Sequence, residues 1–321
     1  MNLKKVVFVC LFFVCIVESS RSVSAKAVIT SLRDEVDILQ KMKDGGVHQD
    51  ICDKHIDRYV VIKGIEYYDF NGNLLNDGSI VVNDAVADGV VKIFEELKTR
   101  KFPVEQINPV IGRRIVYKLP FGLFGWKEIV DDENTPDLTT AYCCRPIEHT
   151  NKLSLHSFGT ALDLNMLRNP CIFIDEEKQE IINVVPKQGV MYLNRKIARP
   201  NKPYGFGKID DSIVEIFQKH GFDIWGGDWN TPIDYQHFQV STREFADLIM
   251  FVSKGDARKI FNKHTECFNK NNRSLVNLAN EKQIVLIEEY KNDNSENKNA
   301  FFKLVDDVCN ISSKKKQIKN R

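Results

Sequence analysis

The sequence has no excess of charge of either sign: across 321 residues, 45 Lys and Arg face 44 Asp and Glu, a formal net charge of +1. A dedicated nucleic-acid binder needs a basic surplus to neutralise phosphates, so that class is excluded. The 17 glycines and 10 prolines are too few for a collagen-like or low-complexity chain, and 43% hydrophobic residues exceed what disorder tolerates. No C-x-x-C pair is present, which argues against a zinc finger, and no Gly-x-Ser-x-Gly elbow, which argues against a serine hydrolase. Internal repeats are absent too. At roughly 150 residues per domain, the length allows one large domain or two modest ones.

The N-terminus reads as a removable address. Met1 to Lys5 is basic, Val6 to Val17 is an apolar run of twelve residues, and Val23-Ser24-Ala25 offers small residues for cleavage. The run is well short of the roughly 20 residues needed to span a bilayer, so a secretory signal peptide over 1–25 is expected rather than an anchor, with no stable membrane span after cleavage. Cleavage removes Lys4, Lys5, Arg21 and Glu18 and leaves a nearly neutral mature chain. It also leaves Cys52, Cys143, Cys144, Cys171, Cys267 and Cys309, an even number bound for an oxidising compartment. Up to three disulfides follow, and sequence leaves their pairing open.

Residues 26–56 carry Ile29, Leu32, Val36, Leu39 and Met42 at three- and four-residue intervals and predict an N-terminal helical segment on the surface. Tyr59 to Ile62 and Ile65 to Phe70 are β-branched and aromatic, and the turn residues Asn71-Gly72-Asn73 follow. Asn83 is a candidate N-cap for a helix whose core face is Val86, Val90, Ile93, Phe94 and Leu97. From Phe102 to about Lys208 helical periodicity is lacking, and strands with ordered loops are expected. Asp210 caps a second helix that Gly221 closes, and short strands are expected over 222–225 and 238–240. The stretch 243–310 reads as a helical C-terminal extension containing a charged linker at 291–299. Residues 311–321 form a basic tail. A Cys267 to Cys309 disulfide would staple the extension.

Two of the seven histidines stand in informative surroundings. One lies in Ser154-Leu155-His156-Ser157-Phe158-Gly159-Thr160-Ala161-Leu162-Asp163, the other in Asp234-Tyr235-Gln236-His237. A lone histidine is usually a surface or core residue, and an Asp in a loop is usually a cap. Together, however, His156, Asp163 and His237 supply the three protein ligands of a catalytic zinc site with one open position, and Asp234 remains as a base. Two imidazoles and one carboxylate suit Zn2+ better than calcium or magnesium, which prefer oxygen shells.

The pattern Ser-x-His-x-x-Gly-x-Ala-x-Asp, followed by Trp225-Gly226-Gly227-Asp228-Trp229 and Asp-x-x-His, resembles the zinc D-alanyl-D-alanine carboxypeptidases and L-alanyl-D-glutamate endopeptidases that cut peptidoglycan stem peptides. The similarity runs from about Tyr59 to Val240 and implies a peptidase domain over 57–242. The implied fold is α+β, an antiparallel sheet with flanking helices shared with the Hedgehog signalling domain. It also implies His156, Asp163 and His237 as zinc ligands and Asp234 as general base. Arg145 is expected to bind a substrate carboxylate or the oxyanion, with a surface salt bridge as the bland alternative. Ser154 is expected to touch substrate or orient its loop, and Trp225 and Trp229 to wall the cleft, with core packing as the competing view. Asp228 is a candidate partner for a ligand histidine, and His149 reads as loop decoration. An Asp rather than a Glu as base resembles the endopeptidase branch. A non-catalytic, metal-containing wall- or partner-binding module is the reading from another class, and the presence of Asp234 weighs against it. A cell-envelope or periplasmic location is implied by the resemblance and the export signal together.

Overall fold

The computed structural model describes residues 26–109, 114–118, 124–128, 137–147, 150, 152–195 and 207–271, and six residues between 302 and 309. The expected signal peptide, His149, the expected 291–299 linker and the expected basic tail lie outside the described residues.

The centre of the fold is a hairpin buried on both faces. Strands β1 (Val28–Ser31), β2 (Tyr59–Tyr68) and β3 (Leu74–Asn83) form one antiparallel sheet in that order. Side chains alternate across a strand, so Val60, Ile62, Ile80 and Val82 enter one core, while Tyr59, Val61 and Val81 enter another. Gly64, at φ 73°, sits where the register with β3 shifts. That bulge resets the alternation, which returns Ile65 and Tyr67 to the first core. The turn at Asp69 to Asn73 is tied by the Asp69 carboxylate, which accepts from the Asn71 and Asn73 backbone amides.

The N-terminal segment departs from the sequence expectation of one surface helix. Val28–Ser31 pairs with β2, because its β-branched residues fit an open sheet edge. Only α1 (Val36–Asp44) is α-helical, and 3-10 turns at Leu32–Asp34 and Asp50–Arg58 flank it. Leu32, Met42, Cys52 and Ile56 point into the second core, so the apolar spacing marks burial and not a single long helix.

Asn83 caps as expected: its side chain accepts from the Ala85 amide and opens a turn at Asp84–Val86 that leads into α2 (Ala87–Thr99). After it come the short strands β4 (Gln106–Ile107), β5 (Arg114–Lys118), β6 (Phe124–Glu128) and β7 (Leu138–Thr139). Next are β8 (Ala161–Asp163), β9 (Cys171–Asp175) and β10 (Glu180–Val185). Helix α3 (Asp211–Lys219) is capped by Asp210, and β11 (Ile224–Trp225), β12 (Ile233–Asp234) and β13 (His237–Gln239) follow. Two small antiparallel sheets, β11-β13-β8 and β10-β9-β12, carry the chemistry-bearing residues. Mixed helices and antiparallel sheets make the chain α+β.

The described part of the helical extension belongs to the main core. Helix α4 (Arg243–Phe251) and α5 (Lys254–Asn271) contribute Phe245, Leu248, Ile249, Ile260 and Phe261 to the same cluster as β2, α2 and α3. Arg258 also forks onto Asp84 with bonds of 2.5 and 3.0 Å. No described helix is long and apolar enough to cross a membrane. Two disulfides form, Cys52–Cys144 and the expected Cys267–Cys309. Cys143 and Cys171 are buried outside any disulfide, so the described cysteines make two bridges where three were open to them.

Two expectations follow from this packing. Gly159 has φ +66°, and a Cβ there would meet the Asn83 amide nitrogen at 2.5 Å, so Gly159→Ala should cost on the order of 2 kcal/mol or more in urea unfolding. His48 is buried between Tyr142, whose hydroxyl lies 2.7 Å from Nδ1, and Asp53, 2.8 Å from Nε2. Burial depresses its pKa and Asp53 only partly offsets this. The unfolded chain therefore takes up a proton that the folded chain resists. Stability is full above the unfolded value of about 6.5 and falls as pH drops through it. The melting temperature should decline from pH 7.5 to 5.5, with a shallower slope in His48→Gln.

Candidate metal centre

Strands β8 and β13 lie antiparallel with Asp163 directly opposite His237. Directly opposed residues on one sheet face bring their Cβ atoms within about 5.5 Å, so the pairing alone delivers a carboxylate beside an imidazole. The third group arrives from a 3-10 turn at Leu155–Phe158, which Ser154 opens by accepting from the His156 amide. Left-handed Gly159 ends that turn and lets the chain re-enter as β8. His156, Asp163 and His237 are all buried, and their ligand atoms lie within 4.8 Å of one another.

The hydrogen bonds settle which nitrogen faces the centre. His156 Nδ1 lies 2.5 Å from the Ala141 carbonyl and must donate to it, leaving a lone pair on Nε2. His237 Nε2 lies 3.0 Å from Gln239 Oε1, and the Gln239 amide nitrogen donates to the Ser241 carbonyl, so His237 also donates and keeps a lone pair on Nδ1. The two lone-pair nitrogens are 3.1 Å apart, and Asp163 Oδ1 is 3.4 Å from His156 and 3.2 Å from His237. In these tautomers the three atoms form a near-equilateral triangle of lone pairs, while burial would lower the His237 pKa but Asp163 outweighs it and raises it, so a cation is favoured there. Ligands held about 2.0–2.1 Å from a tetrahedral zinc are spaced about 3.3 Å, so the residues fit that ion. Burial lowers the His156 pKa. Burial would raise Asp163, but His156 and His237 outweigh it and hold the carboxyl well below its usual range.

Asp234 comes from the neighbouring sheet, where β12 pairs with β9 and sets it across from Cys171. Its Oδ1 is shielded from solvent and makes no hydrogen bond. Burial, reinforced by the Asp163 charge, raises its pKa to about 7 against the pull of His237, Arg145 and the Cys171 thiol. The close approach depends on Gly226, since a Cβ there would meet the Asp234 carbonyl at 2.6 Å and the His237 Cβ at 3.2 Å.

The remaining sequence candidates divide. The Arg145 charge lowers the pKa of both His156 and Asp234, and its Nε is shielded from solvent. Its backbone is pinned by Ser157 Oγ and by the Ser154 amide, beside the Cys52–Cys144 bridge. The Trp229 ring lies 5.2 Å from the His237 ring. The Ser154 hydroxyl faces the His156 amide. Trp225 packs on Phe238 and donates to the Tyr235 carbonyl. Asp228 is exposed, and the partner positions on the two histidines belong instead to the Ala141 carbonyl and Gln239. Gln239 was not singled out from the sequence, although His-x-Gln puts both residues on one face of a strand, and a backbone carbonyl leaves no mark in a sequence.

Comparison with known proteins bears on this segment. No curated protein and no solved structure matches the chain. Residues 148–240 match the family model described as D-alanyl-D-alanine carboxypeptidase. The match is less than a third of the chain and narrower than the 59–240 span suggested by the sequence, but it contains the triad, Asp234 and the Gly-Gly turn. Over these residues the chain carries the pattern of the D-alanyl-D-alanine carboxypeptidase family, and the match supports a zinc-dependent peptidase acting on peptidoglycan.

Proposed function

We propose that the protein is exported to the cell envelope, where it hydrolyses a peptide bond in peptidoglycan stem peptides, as an endopeptidase between L-Ala and D-Glu. The carrying observation is the triangle of three buried electron-rich atoms beside a carboxylate with an unbonded oxygen. His156 through Nε2, His237 through Nδ1 and Asp163 through Oδ1 would hold Zn2+, on a Hedgehog/DD-peptidase-like sheet. When bound, zinc lowers the pKa of water towards about 7 and polarises the scissile carbonyl.

Asp234 takes the proton of the attacking water at Oδ1 and passes it to the leaving amine. A carboxyl with a pKa near 7 can serve as base and then as acid near neutral pH. Arg145 donates its forked N–H groups to the developing oxyanion or to a substrate carboxylate. Trp229 forms a wall beside His237, and Ser154 acts through the turn it caps. The two disulfides fit an oxidising compartment. The endopeptidase is favoured by Asp in the base position. The description of the matched family and the closeness of Arg145 favour a D-Ala-D-Ala carboxypeptidase as the second reading.

Two measurements check this reading. The mature chain should bind one equivalent of zinc, and X-ray absorption should give nitrogen and oxygen ligands at about 2.0–2.1 Å with no sulfur near about 2.3 Å, because among the described residues the clustered ligand atoms are those of His156, Asp163 and His237. His156→Ala, Asp163→Ala and His237→Ala should each lose the metal. Asp234→Ala should keep it and lose roughly 10²–10⁴-fold in kcat. Mass spectrometry of defined stem peptides then separates the bonds: separation of L-Ala from the rest marks the endopeptidase, and release of terminal D-Ala marks the carboxypeptidase. Metal-loaded wild type that leaves every fragment intact would sink the enzyme reading.

A further inference from the structure

Four hydrogen bonds run in series from helix α5 to His237. His264 is fully buried on α5, and its Nε2 donates to Asp223 Oδ1 at 3.0 Å. The same oxygen accepts the Ser241 amide at 2.7 Å. The Ser241 carbonyl accepts from the Gln239 side chain at 2.8 Å, and Gln239 Oε1 accepts from His237 Nε2 at 3.0 Å. Ser241 stands at φ 49°, a left-handed conformation that a residue with a side chain adopts only when its surroundings hold it there. Asp223 grips its amide and Gln239 its carbonyl. The Asp223 side chain is only 4% exposed, so His264 also supplies the hydrogen-bonding partner that a buried carboxylate requires.

We infer that His264, at the far end of the series His264, Asp223, Ser241, Gln239, is a positioning residue for His237, and that α5 thereby tunes metal affinity from outside the segment that carries the family match. The inference rests on His237 being a metal ligand. Gln239 fixes the tautomer that frees His237 Nδ1. Gln239 is itself aimed by the Ser241 carbonyl, whose direction depends on the turn that Asp223 and His264 lock. Groups that orient a ligand histidine typically govern metal affinity by 10–100-fold. A purely structural His264 would instead affect melting and leave affinity alone.

The test measures the zinc dissociation constant by competition with a chromophoric chelator, alongside the melting temperature of the metal-free protein, in the full mature chain. His264→Phe, which keeps the ring and loses the donor, should weaken zinc roughly 10–100-fold. His264→Gln, which restores an N–H donor near the Nε2 position, should return to within a few-fold of wild type. Gln239→Met should weaken zinc by a similar factor, and the double variant should be no weaker than Gln239→Met alone, since both break one series. Unchanged affinity in His264→Phe, or fully additive losses, would overturn the inference. Should His264→Phe not fold, Asp223→Asn combined with Gln239→Met repeats the cycle one link nearer the centre: non-additive losses support the series, and additive losses or an unchanged affinity in Asp223→Asn overturn it. Wild-type affinity in His237→Ala would instead show that the ligand assignment is wrong, an outcome distinct from failure of the series.

Discussion

The antiparallel register of β8 and β13 is the constraint on which the rest depends. With side chains alternating at every residue, a slip of one position would put Asp163 and His237 on opposite faces of the sheet. The register is held from both sides. Phe238, between the site residues on β13, turns the other way and stacks on Phe217 at 3.7 Å between ring centres. On the opposite edge, Thr140 exchanges two backbone bonds with Asp163, which also brings the Ala141 carbonyl within reach of His156. One strand pairing therefore positions two proposed ligands and, through its neighbour, orients the third.

The two-sided hairpin explains why such a small sheet can be rigid. β2 and β3 supply a wall to each core, and the bulge at Gly64 keeps their long apolar run in phase with both. The turn carrying His156 leans on that wall: Gly159 accepts the Asn83 amide through its carbonyl, and the Tyr59 hydroxyl donates to the Ser157 carbonyl. The Cys52–Cys144 bridge then ties the N-terminal turn to the segment that bears Arg145. His156 and Arg145 are thus anchored to elements whose own side chains are buried.

Legibility in the sequence followed the range of the interaction. His156 with Asp163, and Asp234 with His237, could be singled out as two local motifs, while it was the family resemblance that joined them across the 74 residues between Asp163 and His237; the Asn83 and Asp210 caps could be read because capping acts within three residues. The N-terminal segment misled because its three- and four-residue apolar spacing also suits a strand and short turns folded over a core, a choice that β2 makes as the pairing partner. Asp228 drew attention through the motif around it, yet the turn that Gly226 and Gly227 permit leaves it exposed. The bond from His264 to Asp223 spans 41 residues, and no local pattern announces it.

Two carboxylates share this buried pocket, and their surroundings push them in opposite directions. Asp163 has an imidazole on each side, and those contacts outweigh the cost of burial and keep it anionic. Asp234 has no such partner for Oδ1, so burial dominates and its pKa climbs to about 7. The separation allots the roles without reference to any motif: the group that stays charged can remain on a cation, and the group that titrates near neutrality can carry a proton. Exchanging the two would weaken both roles, since a proton competing for the ligand near neutrality would lower metal affinity and a base held far below its usual range would be too weak to take a proton from water.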